Sequence, residues 1–96
     1  MLVSATFFQN GVPKIGLTPT VKIWDVATSE VVLPPTAMTE VGDGIYKYDF
    51  VGYQSTKQYS FLFDGGPELV PGERYLTASN EIFTATASFG PIADFG

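Results

Sequence analysis

Polar and apolar residues alternate with a period of two along most of this chain, and no apolar stripe recurs at helical spacing without a Gly, a Pro or a β-branched run to break it. That pattern confines the chain to strands. The clearest instance runs from Gly44 to Val51, where Tyr46, Tyr48 and Phe50 fall on one face and Lys47 and Asp49 on the other. Successive side chains of an extended strand point to opposite sides, so this alternation predicts a strand with one buried face. Tyr59, Phe61 and Phe63 repeat it, as do Val3, Ala5 and Phe7 near the start. Together with Tyr46, Tyr48 and Phe50, the aromatics of the 58–63 strand are the expected core.

Turn chemistry separates the runs. Asn10-Gly11-Val12-Pro13 closes the first strand, because Asn and Gly tolerate positive φ and Pro cannot continue a ladder. Residues 20–26 form a second strand, which Ala27-Thr28-Ser29-Glu30 turns into Val31-Val32-Leu33 as a hairpin. Pro34-Pro35 supplies no backbone donor, so it either ends that strand or puts it at a sheet edge. A short strand follows over residues 36–41, then Gly42-Asp43-Gly44 reverses the chain. Asp64-Gly65-Gly66-Pro67 is another turn, and short strands are expected near residues 74–77 and 82–87. About six to eight strands, spaced roughly ten residues apart with no helix between them, predict an all-β antiparallel sandwich.

Three segments carry a family resemblance: Gly16 to Val26 (GLTPTVKIWDV), Gly44 to Phe50 (GIYKYDF) and Tyr59 to Asp64 (YSFLFD). They resemble an immunoglobulin-like sandwich of the transthyretin or carboxypeptidase-regulatory type, over residues 1–88. The resemblance implies a single Ig-like domain there, with residues 89–96 as an extended C-terminal tail. Residues 37–48 (AMTEVGDGIYKY) also resemble small accessory β domains of tailed-phage structural proteins. These are signatures of fold, and one fold hosts many functions. The Cys pair packed on Trp that marks antibody domains is absent.

Composition narrows the chemistry. With no cysteine and no histidine, disulfides, thiolate or imidazole metal sites, Ser/His triads and cysteine nucleophiles are all excluded. Five basic residues, Lys14, Lys22, Lys47, Lys57 and Arg74, are dispersed among ten acidic ones at a net charge of −5, which argues against a nucleic-acid partner. A 45% apolar chain of this modest charge is expected to fold, burying roughly two-thirds of its surface in one core. The opening MLVSATFF lacks the charged n-region and long apolar core of a signal peptide, and no run is long enough to span a membrane. Compartment is left open, since a virion component would read the same way.

Glu40, Asp43, Asp49 and Asp64 are the carboxylates to weigh for catalysis. Asp43 and Asp64 sit beside glycines, where Asp bonds the turn backbone, and Asp49 alternates with Lys47 on a solvent face. A calcium site would need Glu40, Asp43 and Asp64 to converge from their turns, and no EF-hand-like loop is present. No enzyme activity, metal or cofactor is therefore expected. Trp24 is out of phase with Val21 and Ile23; unless a bulge resets the strand it points outward beside Lys22, as an edge cap or a contact for a ligand or partner. Phe89, Ile92 and Phe95 in the tail either fold back on their own domain or dock on another copy.

The functional expectation is a non-enzymatic structural or adhesion module, a viral particle component that assembles with itself or a neighbouring structural protein through edge strands and termini. The alternative is a carbohydrate- or surface-binding module using Trp24 and loop residues.

Overall fold

The computed structural model describes residues 1–80, and among these the fold is all-β and antiparallel. One sheet contains β1 (Leu2–Thr6), β6 (Thr39–Gly42) and β7 (Ile45–Asp49), in the order β1-β7-β6. The other contains β4 (Thr20–Asp25), β5 (Glu30–Ala37), β8 (Tyr59–Asp64) and β9 (Tyr75–Asn80), in the order β5-β4-β8-β9. A two-residue ladder joins β2 (Phe8–Gln9) to β3 (Val12–Pro13), and a single helical turn, α1 (Pro71–Arg74), leads into β9. The expected strand over 82–87 and the tail lie outside the described residues.

Alternation decides what is buried. Val3 and Ala5 of β1 and Tyr46 of β7 pack with Val21, Ile23, Tyr59, Phe61 and Phe63 in one cluster shared by the two sheets. Phe50, just past β7, bridges them: its ring meets Tyr59 edge-on at 4.9 Å and Phe61 at 6.3 Å. Such edge-to-face pairs set the positive rim of one ring against the negative face of another. The exception is Tyr48, expected in the core but only half-buried. β6 pairs with β7 only as far as Lys47, so among the described residues no strand flanks Tyr48 on that side.

The turns follow backbone stereochemistry. Asn10-Gly11 and Asp43-Gly44 are two-residue hairpin loops with φ of 54° and 81° in each case, the left-handed pair that matches strand twist. A Cβ on Gly44 would also sit 2.9 Å from that of Pro13, so this turn presses on the β2–β3 hairpin.

Prolines stand at two of the ladders. Pro13 is the last residue of its ladder, facing Phe8 at a position that needs no donor, and one further bond, Lys14 N–H to the Phe7 carbonyl at 2.8 Å, follows it. Of the two alternatives for Pro34-Pro35, the sheet edge is the one observed among the described residues. β5 runs through them as a sheet edge, slipping register against β4 between Val21 and Ile23 and again between Ile23 and Trp24. The first slip sets Pro34 and Pro35 together against the single Lys22, where a bulge tolerates missing donors, and the second leaves Val32 unmatched. The 36–41 strand is in fact divided at buried Met38, whose N–H bonds the Pro19 carbonyl while the chain crosses from one sheet to the other.

Phe61 lies at the centre of the shared cluster, 2% exposed. Phe61→Ala is expected to cost about 3–5 kcal/mol, the transfer and cavity cost of a buried aromatic. A urea-unfolding midpoint within experimental error of the parent would disprove this placement.

Candidate functional site

The sheets meet an irregular region at one end of the sandwich, and Tyr46 organises it. Its hydroxyl donates to the Lys14 carbonyl at 2.7 Å and accepts from the Leu17 N–H at 3.1 Å. The Phe7 ring meets it edge-on at 6.0 Å. Glu40 accepts from the Gly16 N–H, and Glu73 from the Asn10 N–H. The Tyr46 and Glu40 bonds hold residues 14–17 against β7 and β6, and the Glu73 bond ties the β2–β3 hairpin to α1. Exposed apolar side chains at this end are Phe8, Val12, Ile15, Val41 and Ile45, Val12 and Ile15 at 62% each. Alternation assigned none of them, because most lie in turns or at strand ends where period two breaks off.

Trp24 lies on the opposite face of β4 from Val21 and Ile23, opposite Ser60 of β8 and Val31 of β5. It is half-buried, and the Lys22 ammonium stands 4.7 Å from its ring centroid in a cation–π contact. One face of the indole is thus occupied by this protein's own cation.

The carboxylates are dispersed and engaged. Asp64 takes two hydrogen bonds from Arg74, Nε to Oδ1 at 2.7 Å and an Nη to Oδ2 at 3.1 Å, and also accepts from the Gly66 N–H. Asp43 occupies the left-handed turn position, and Asp49 is exposed. Among the described residues no group of three or more acidic side chains is close enough to hold a metal ion. Among the described residues the one buried carboxylate is Asp25, 4% exposed. It accepts from the Ala27 N–H at 3.0 Å and has the Lys57 ammonium 3.6 Å from its other oxygen, so it braces the β4–β5 turn. Its signal was in the sequence: Asp25 shares the inward phase of Val21 and Ile23.

Phe89, Ile92 and Phe95 lie outside the described residues. No described helix is long and apolar enough to cross a membrane. No family model, curated protein or solved structure gives a significant match to the chain.

The Asp64–Arg74 pair makes stability depend on pH. The hydrogen bond from Arg74, with help from the Gly66 N–H and the guanidinium charge and against partial desolvation, holds the Asp64 carboxyl below its ordinary value of 3.8. Unfolding therefore takes up a proton at low pH, so the stabilisation is complete above 3.8 and is lost as the pH falls below it. Asp64→Asn is expected to lower the urea midpoint at neutral pH, and the gap to the parent is expected to close in acid. A gap that stays constant across this range would show that the carboxylate charge is not what Arg74 holds.

Proposed function

We propose that this chain is a non-enzymatic structural or adhesion β-sandwich of the immunoglobulin-like, transthyretin type, which assembles with copies of itself or with a neighbouring structural protein. The observation that carries the reading is the apolar end built by Phe8, Val12, Ile15, Val41 and Ile45. Several exposed apolar side chains at one end of a small domain mark a contact site, since leaving them in water forgoes the gain of burying them. The unequal defence of the sheet edges adds support. β5 is blunted by two prolines and two register slips, whereas β9, the other edge of that sheet among the described residues, reads YLTASN with no charge to repel another strand. Phe89, Ile92 and Phe95 supply further apolar residues for an interface. The likeness of residues 37–48 to accessory β domains of tailed-phage structural proteins makes a viral particle the proposed setting.

A carbohydrate- or surface-binding module is the second reading, resting on half-exposed Trp24 beside Lys22. A sugar would have to stack on the indole in place of the ammonium or on the remaining exposed ring.

Sedimentation velocity of the full chain distinguishes them. Assembly predicts a concentration-dependent rise in sedimentation coefficient up to hundreds of micromolar, reduced by Val12→Ser with Ile15→Ser and by serine at positions 89, 92 and 95. A monomer throughout that range would defeat the assembly reading, and Trp24 emission that responds to sugar would favour the second.

A further inference from the structure

Backbone hydrogen bonds fix which groups β9 offers to a neighbour. The Val26 N–H donates to the Gln58 carbonyl at 3.0 Å, just before β8, and the Gly65 N–H donates to the Arg74 carbonyl at 2.8 Å, just after it. Bonding direction alternates along a strand, so Ser60, Leu62 and Asp64 turn their backbone groups to β4 while Tyr59, Phe61 and Phe63 turn theirs to β9. Their partners Leu76, Ala78 and Asn80 face back toward β8. Tyr75, Thr77 and Ser79 therefore direct their N–H and C=O groups to the outside of the sheet, where no described strand meets them.

This edge also projects. β5 passes into β6 through Met38, so those two edges share one side of the sandwich and β1 and β9 share the other, with three strands facing four. Burial agrees: on the inner face Tyr59, Phe61 and Phe63 of β8 are buried, whereas Leu76 of β9 is only partly buried and Ala78 is exposed. Among the described residues, β9 thus stands beyond the cover of the three-stranded sheet. Nothing in its sequence repels a strand, while β6 carries Glu40 and β5 carries two prolines.

Such a strand can pair with itself about a two-fold axis. With Thr77 opposite Thr77 of a second copy, Tyr75 falls opposite Ser79 and Arg74 opposite Asn80, and each outward N–H and C=O meets its complement. Any shifted antiparallel register leaves at least one of Tyr75, Thr77 and Ser79 without a partner in the strand. The centred register also ends before Glu73 and Glu81, so no like charges stand opposite within it. A two-fold contact uses the same edge of both copies and closes on itself.

We infer that β9 is a self-pairing edge: two copies join antiparallel through β9, centred on Thr77, into one continuous sheet. The inference rests on the self-assembly reading above and gives it a contact separate from the apolar side chains at the sandwich end.

Amide hydrogen exchange and nuclear Overhauser contacts in the full-length protein test it, on the same samples whose sedimentation is measured. The Thr77 amide, which has no partner on β8, is expected to gain protection as the concentration rises into the range where copies associate. In a mixture of differently labelled copies, the α proton of Leu76 is expected to contact that of Ala78 of the other copy, because these residues form the close non-bonded pair beside the axis. Thr77→Lys sets two ammonium groups opposite each other and is expected to abolish both signals while the β4 and β8 amides keep their protection. Assembly in which Thr77 still exchanges freely would overturn the inference and leave the assembly reading standing on a different contact; a monomer at every concentration would defeat both. Thr77 protection that persists undiminished in the dilute monomer would also overturn it, since the partner would then belong to the same chain.

Discussion

The hydroxyl of Tyr46 is the only polar atom that a fully buried aromatic of β7 brings to the sandwich end, and it meets two backbone groups that would otherwise be stranded there. An unpaired buried carbonyl or N–H costs about 1–3 kcal/mol, so the Lys14 carbonyl and the Leu17 N–H are fixed where Tyr46 can reach them. Much follows from that position. With residues 14–17 pinned, the β2–β3 hairpin folds over the β6–β7 turn, Gly44 must lack a side chain where it meets Pro13, and Phe7 fills the space against Gly65 and Leu69. A Cβ on Gly65 would lie 2.7 Å from the Phe7 ring, which shows how closely the connection after β8 is packed there. The exposed apolar side chains of this end owe their placement to a bond made in the interior.

What could be read in the sequence was whatever the two-residue period encodes. The inward set Val3, Ala5 and Phe7, the set Tyr59, Phe61 and Phe63, and the pairing of Asn10-Gly11 and Asp43-Gly44 with tight reversals all follow from side-chain direction and from φ. Bulges were not legible. Two adjacent prolines announce an edge, but how many residues slip against the neighbouring strand depends on the partner, here β4, and not on the prolines themselves. Nor does the alternation of Tyr46, Tyr48 and Phe50 say that β6 stops short of Tyr48. The crossing at Met38 was hidden for a related reason: residues on either side of it are extended, and only the pairing of β5 with β4 and of β6 with β7 shows that they belong to different sheets.

The candidate site was less legible still. Sequence reasoning concentrated on Trp24 and the carboxylates because these residue types carry chemistry, and the structure gives most of them local partners. Lys22 lies over Trp24, Arg74 and Gly66 engage Asp64, and Gly16 donates to Glu40. Val12, Ile15 and Val41 carry no such signal. An apolar residue in a turn looks like noise until the fold brings several such turns to one end.

Charge gives these features a common physical sense. At a net −5 with its cations dispersed, two copies of this protein repel weakly at long range, and salt screens that repulsion within roughly 10 Å. Contact must then be decided by short-range terms, the burial of apolar side chains and the pairing of backbone groups. The prolines and register slips of β5 make that edge a poor template for another strand, whereas exposed apolar side chains stand at both ends of the sandwich, Phe8, Val12 and Ile15 at one and Leu2 and Val51 at the other. Burial of such side chains therefore offers a partner more than pairing along β5 does.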